Sequence, residues 1–152
     1  MPSPTQTSVR DLLENYDTFF LDAYGVLVTG RGPLQGAAPF IELLRSQQKS
    51  FSIVTNDASR LPSTCAARYQ ELGIQIDAHE VLTSGSMITE VFKEQALAGS
   101  KTMVLGTDDT RTYVTEGGGN LLELKPDESP EVVVVADEGG YNFLRSVEAV
   151  LS

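Results

Sequence analysis

The chain has 152 residues, enough for one domain with a core and too few for two large ones. Its 41% hydrophobic and 21% charged residues are those of an ordinary globular protein. The net charge of −10 excludes the basic footprint that nucleic-acid binding needs, but not a phosphorylated small molecule, because a local cation overrides an average field.

The first ten residues are polar and lack the apolar stretch of a signal peptide, and Asp11 and Glu14 belong to a helical stretch that follows. Residues 17–22 read as a strand, an apolar run ending in the carboxylate of Asp22. Gly25 turns the chain, and Val26 to Gly36, with Gly30, Gly32, Pro33 and Gly36, reads as a hairpin or flap. Ala37, Phe40, Ile41 and Leu44 recur at helical spacing. Residues 51–55 form a second strand ending in Thr55-Asn56-Asp57. A helix follows, with Pro62 in its first turn and Gly73 as its carboxyl cap. Val81 to Thr83 is a short strand and Ser86 to Leu97 a helix.

The same rhythm continues with a strand over Lys101–Leu105, a short helix over Asp108–Val114, strands over Leu121–Leu124 and 131–136, and an amphipathic helix over Tyr141–Leu151. Alternating β and α elements of this length predict an α/β fold, a Rossmann-like parallel sheet joined by crossovers. The Val132 to Ala136 run is too short to span a membrane, and the single Cys65 permits no internal disulfide. A cytoplasmic protein with no membrane and no nucleic-acid partner is expected.

Two strands that end in polar tips, Asp22 on one and Thr55-Asn56 on the next, place those tips where open α/β sheets bind ligands, and two such tips can converge on one small anion. Each has a plainer reading. A strand-end aspartate caps turns, and Thr and Asn commonly begin loops. Asp57 reads as the cap of the following helix, Asp108-Asp109 as an acidic first turn favoured by the helix dipole, and His79 as a surface turn. Cys65 reads as a small core residue, and Tyr113 and Tyr141 as helix-face packing residues. Asp137-Glu138 reads as a solvated turn, with approach to a substrate as the alternative. The triplet Gly117 to Gly119 closes a helix instead of opening one, so it is a cap and turn and not a phosphate loop.

The ordered set Asp22-x-x-Gly25-Val26, flap, Gly36-Ala37, Thr55-Asn56, Leu72-Gly73 and Thr83-Ser84 resembles the haloacid dehalogenase superfamily, and within it the class IIA sugar-phosphatase-like hydrolases. Val132 to Asp137, followed by Tyr141 and Leu144, is similar to part of their cap. The resemblance implies a haloacid dehalogenase-like core over residues 1–84 and a partial α/β cap of the C2 type over 85–152. It implies a small phosphomonoester such as a sugar phosphate as substrate, hydrolysed in two steps through an aspartyl-phosphate on Asp22. Mg²⁺ would be held by the Asp22 carboxylate and the Tyr24 backbone carbonyl. Thr55 would donate its hydroxyl and Asn56 its amide to the phosphate, while Gly25 keeps the turn clear of it.

Two departures bear on that expectation. Tyr24 stands where most phosphatases of the superfamily carry an acid–base aspartate, and a phenol donates a proton at neutral pH but is a poor base there. A tyrosine here is also a feature of the haloacid dehalogenases proper, which attack carbon without a metal, so that activity is one alternative. The family's lysine and late acidic pair lie downstream of the cap. Nothing after Tyr141 supplies them, and Lys125, although followed by proline, falls inside the expected cap. The chain is therefore expected to be the amino-terminal part of a longer protein and inactive alone, with apolar surface that would permit homo-oligomers. The rival from another class is a non-catalytic Rossmann-like protein that binds phosphate or another ligand.

Overall fold

The computed structural model describes residues 7–125 and 128–136. In chain order the elements are α1 (Val9–Asn15), β1 (Thr18–Asp22), β2 (Val28–Thr29), β3 (Gly32–Pro33), α2 (Ala37–Ser46), β4 (Ser50–Thr55) and α3 (Pro62–Glu71). A 3-10 turn over Ala78–Glu80 then leads into β5 (Val81–Thr83), α4 (Ser86–Glu94), β6 (Lys101–Leu105), α5 (Asp108–Glu116), β7 (Asn120–Leu121) and β8 (Val132–Val135). The α/β expectation holds: β1, β4 and β5 form one parallel sheet in the order β1-β4-β5, and β7, β6 and β8 a second in the order β7-β6-β8.

Side-chain alternation decides where the first core lies. In β1, Phe19 and Leu21 are buried while Thr18, Phe20 and Asp22 point out. Leu21 pairs in register with Ile53 and Ile53 with Val81, so one face of the sheet is a continuous apolar strip. Leu13 of α1, Ile41 and Leu44 of α2, and Cys65, Ala66 and Tyr69 of α3 cover that strip. Burying each such aliphatic side chain contributes about 1.5–3 kcal/mol. A smaller core joins Phe92 of α4 and Val114 of α5 to Val104 of β6, with Val132 and Val134 of β8 packed against them.

The helix ends follow local chemistry. Ser8 and Asp11 form a reciprocal capping box on α1. Pro62 occupies the first turn of α3, where a missing N–H is harmless, and Gly73 just beyond the helix takes φ +80°. At the opposite end of the sheet from Asp22, Arg45 of α2 donates to Glu80 at 2.6 Å and to the Gln75 carbonyl at 3.0 Å. The buried Glu80 also accepts the Asp77 amide at 2.8 Å, which ties α2 to the turn before β5.

Besides shifts of one or two residues, such as α5 running to Glu116 and not Val114, two boundaries differ from expectation. Helix α4 stops at Glu94, not Leu97, because Ala96 adopts a left-handed φ of +54° and Leu97 N–H turns back to the Phe92 carbonyl. Strand β7 covers Asn120–Leu121 and not Leu121–Leu124, because after Leu122 N–H bonds Thr102 the chain turns, with Lys125 N–H on the Glu123 carbonyl. The helix expected over Tyr141–Leu151, and with it Asp137-Glu138, lies outside the described residues. Among the described residues no helix is long and apolar enough to cross a membrane.

Candidate functional site

The carboxyl ends of β1 and β4 lie side by side, with Asp22 in register with Val54, so Thr55 and Asn56 come immediately past the level of Asp22. Asp22 and Asn56, with Phe20, Val54 and Leu82, line an open depression of about 550 Å³. The structure therefore brings Asp22 and Asn56 together, while Thr55, Tyr24 and Gly25 do not line the depression.

Each side chain is held by its own turn. Asp22 Oδ1 accepts the Ala23 N–H at 2.7 Å, which orients the carboxylate and leaves Oδ2 facing away from that bond. The Ala23 carbonyl accepts from both Leu27 and Val28 at 3.0 Å, and Gly25, at φ +86°, donates to the Val28 carbonyl at 2.8 Å. This knot reverses the chain directly behind Asp22, and the left-handed φ is why glycine stands at position 25. Tyr24 is 70% exposed, and its hydroxyl lies 3.7 Å from where a side chain on Gly30 would begin, beside the flap. The flap is the expected hairpin, β2 against β3. Thr55 is half-buried; its hydroxyl accepts a long bond of 3.4 Å from the Asp57 amide, and its carbonyl accepts Ser84 N–H at 2.9 Å.

Asp57 does not cap α3 as expected. Its Oδ1 accepts Ser59 N–H at 2.9 Å and the Ser59 hydroxyl at 2.6 Å, and its Oδ2 pairs with Arg60 at 2.6 Å. The helix cap position falls to Leu61, four residues later, so Asp57 organises the loop instead. Burial disfavours its charge, but the Ser59 and Arg60 hydrogen bonds outweigh burial and hold the carboxyl below its ordinary value.

Sequence reasoning missed a set of contacts to this same loop. Asp109, Thr107, Thr110 and Tyr113 of the α5 segment bond to the backbone of residues 58–61. The pairs are 48 to 53 positions apart, so no local pattern announces them. The dipole reading of Asp108-Asp109 in the first turn of α5 stands beside this added role. Tyr113 packs on a helix face as expected, and burial raises its hydroxyl's pKa.

The oxygen donors available for a divalent cation are few but suitable. Asp22 has its second carboxylate oxygen, and among the described residues no hydrogen bond ends on the Tyr24 carbonyl. Mg²⁺ commonly takes one or two protein oxygens and completes six-coordination with water and substrate phosphate, so this donor set fits it. Asp77, His79 and Glu80 also bring their ligand atoms within 4.8 Å of one another, but the Glu80 carboxylate is already engaged by Arg45 and the Asp77 amide. His79 is exposed on the 3-10 turn, as expected. Lys125 pairs with Glu123 and does not line the depression.

A parallel sheet whose adjacent strands present an aspartate and a Thr-Asn pair at their carboxyl ends is an open α/β core with these polar groups where such sheets bind ligands. The chain belongs to the haloacid dehalogenase-like hydrolases, whose family model matches residues 19–120. It is 32% identical over 123 residues to the acid sugar phosphatase of Staphylococcus saprophyticus, an alignment covering 81% of this chain and 46% of that protein. The structure superposes with a TM-score of 0.83 on that of a possible sugar phosphatase from Cytophaga hutchinsonii, at 29% identity and covering 97% of this chain and 54% of the other. It also superposes, with a TM-score of 0.76 at 25% identity, on the glycerol phosphate phosphatase of Mycobacterium tuberculosis in complex with magnesium, covering 91% and 41%. The chain thus spans about half the length of the curated relatives it matches.

Proposed function

We propose that the protein to which this chain contributes hydrolyses small phosphomonoesters, sugar or polyol phosphates, through a covalent intermediate on Asp22. The observation that carries this reading is the shared depression of Asp22 and Asn56 at the ends of adjacent parallel strands. The similar proteins named above are phosphatases, which directs the reading to phosphorus and not to the carbon centre of a dehalogenase.

In the first step Asp22 Oδ2 bonds to phosphorus as the bond from phosphorus to the ester oxygen breaks, and the leaving alkoxide takes a proton. Tyr24 is the donor this chain offers near that position; its phenol would have to swing from beside Gly30 to reach the leaving oxygen. Thr55 Oγ1 and the Asn56 amide donate to non-bridging phosphoryl oxygens, where charge accumulates. In the second step water attacks phosphorus and passes a proton to the Tyr24 phenolate left by the first step, the aspartyl oxygen leaves as carboxylate, and phosphate is released. Bound Mg²⁺ would neutralise charge between Asp22 and the phosphoryl group. The Asp22 carboxylate oxygen that is not bonded to phosphorus and the Tyr24 carbonyl would hold it. In this reading the sheet of β6, β7 and β8 begins a cap over the site, with the core ending near residue 84.

The test is phosphate release from 4-nitrophenyl phosphate and sugar phosphates by the longest natural form of the protein. An Asp22→Asn change is expected to abolish it; turnover surviving that change rules the mechanism out. A Tyr24→Asp change is expected to raise turnover by about 10–100-fold if deprotonation of water limits the second step. The exposed phenol beside the flap also suits a second reading, phosphate binding without turnover. Saturable Mg²⁺-dependent phosphate binding with no release from any ester would favour it.

A further inference from the structure

The loop that follows Thr55-Asn56 is gripped from outside its own sheet. Thr107 Oγ1 donates to the Ser59 carbonyl, Thr110 Oγ1 to the Ala58 carbonyl at 3.1 Å, and the Tyr113 hydroxyl to the Arg60 carbonyl at 2.8 Å. Asp109 Oδ2 accepts the Leu61 N–H at 2.9 Å. Four side chains from a single helical segment thus take four consecutive backbone positions of the loop. The end of β5 holds two more, with Ser84 N–H on the Thr55 carbonyl at 2.9 Å and Gly85 N–H on the Asp57 carbonyl at 3.3 Å.

None of these bonds takes up the amide of Asn56, the one backbone donor in the segment that a phosphoryl oxygen would need. The Tyr113 ring also occupies the space where a side chain on Gly85 would go, 2.5 Å from the ring, and its hydroxyl lies 2.6 Å from Thr83 Oγ1. Thr83 is the register partner of Thr55, so the same hydroxyl joins the loop to the neighbouring strand end. Ser59 is buried and Ala58, Arg60 and Leu61 are partly buried, so the peptide groups of this loop take these side chains as partners in place of water. Such bonds select one conformation.

We propose that α5 is a latch on the phosphate-receiving loop: Thr107, Asp109, Thr110 and Tyr113 are positioning residues that fix residues 58–61 and thereby aim the Thr55 hydroxyl and the Asn56 amide. The proposal rests on the phosphatase or phosphate-binding reading of that tip. It adds that the loop's geometry is set by a helix lying beyond β5 in the chain, so changes in α5 reach the anion site without touching the anion.

The experiment is residue-resolved amide hydrogen exchange on this chain, with and without inorganic phosphate and Mg²⁺, for the unsubstituted protein, Tyr113→Phe, Asp109→Ala and Asp109→Asn. Tyr113→Phe keeps the ring on Gly85 and removes only the hydroxyl; Asp109→Asn keeps an acceptor for Leu61 N–H. Tyr113→Phe and Asp109→Ala are expected to speed exchange at the hydrogen-bonded amides of Asp57, Ser59 and Leu61 by about fivefold or more, and by more than at Leu21 and Ile53. Asp109→Asn is expected to restore most of the protection. The two loosened variants are also expected to bind phosphate about three- to tenfold more weakly at a temperature where each remains folded.

Unchanged exchange at Asp57, Ser59 and Leu61 overturns the latch. So does faster exchange spread evenly over β1 and β4, which would make these residues general packing. If the unsubstituted chain shows no protection by phosphate, the anion-site reading fails in its own right, while the exchange pattern of the variants still decides whether the helix holds the loop.

Discussion

The two faces of the β1-β4-β5 sheet are built from the same kinds of residue and end up in opposite surroundings. Leu21, Ile53 and Val81 face the helices and are 9%, 0% and 6% exposed, whereas their neighbours Phe20, Val54 and Leu82 are 74%, 38% and 49% exposed. Apolar residues at both alternations are the pattern of a parallel sheet designed for burial on both sides. The bare face is also the one that carries Asp22 and Asn56, so the candidate site sits at the rim of an uncovered apolar surface. The lesson is that hydrophobic runs report the environment a strand is made for, and that the carboxyl end of a sheet can be formed while one face of that sheet is open.

The largest test of this contrast is a pair of truncations one residue apart. Ile53→Ala removes a fully buried side chain and is expected to cost about 2–5 kcal/mol in urea unfolding. Val54→Ala, on the open face, is expected to cost under about 1 kcal/mol. Equal losses would mean that the outer face is covered in solution.

That covering is measured next by a dye that binds exposed apolar surface. The double change Phe20→Ser with Leu82→Ser is expected to remove about half or more of the dye fluorescence and to lower self-association in sedimentation, with stability changed by less than about 1 kcal/mol. Retained fluorescence would place the sticky surface elsewhere, with Val135, 72% exposed on β8, the next place to look.

What could be read from the sequence follows the same division between local and long-range causes. Asp22, Thr55 and Asn56 were legible because an apolar run followed by a polar tip and a turn is a local signal, and register between adjacent parallel strands then brings the tips together without further information. The end of α4 was not legible because the chain reverses at Ala96, a residue that carries none of the left-handed preference of glycine. Asp57 was misassigned because an aspartate before a helix reads as its cap, although Pro62 in the first turn puts the cap at Leu61, four residues past Asp57. The α5 contacts were illegible for a deeper reason. Hydroxyls and a carboxylate that bond backbone some fifty residues away leave no periodicity in the chain.

The smallest expected effect concerns the loop that both faces share at the carboxyl end of β4. Asp57 has a lowered pKa in the folded chain, where the Ser59 and Arg60 bonds favour its charge against the cost of burial. In the unfolded chain the same group titrates near the ordinary aspartate value of about 4. Above that value both states are ionised and the stabilisation is fully present. As pH falls through it the unfolded chain takes up the proton first, so the contribution is lost progressively until the folded carboxyl protonates as well. The expected result is a decline in urea stability below about pH 4 that is shallower in Asp57→Asn, whose amide oxygen can still accept from Ser59 but carries no charge to titrate. An identical pH profile in the two proteins would show that Asp57 is not an ionised anchor of the loop. It would then fall to α5, and not to the Asp57–Arg60 pair, to hold the backbone that follows Thr55 and Asn56.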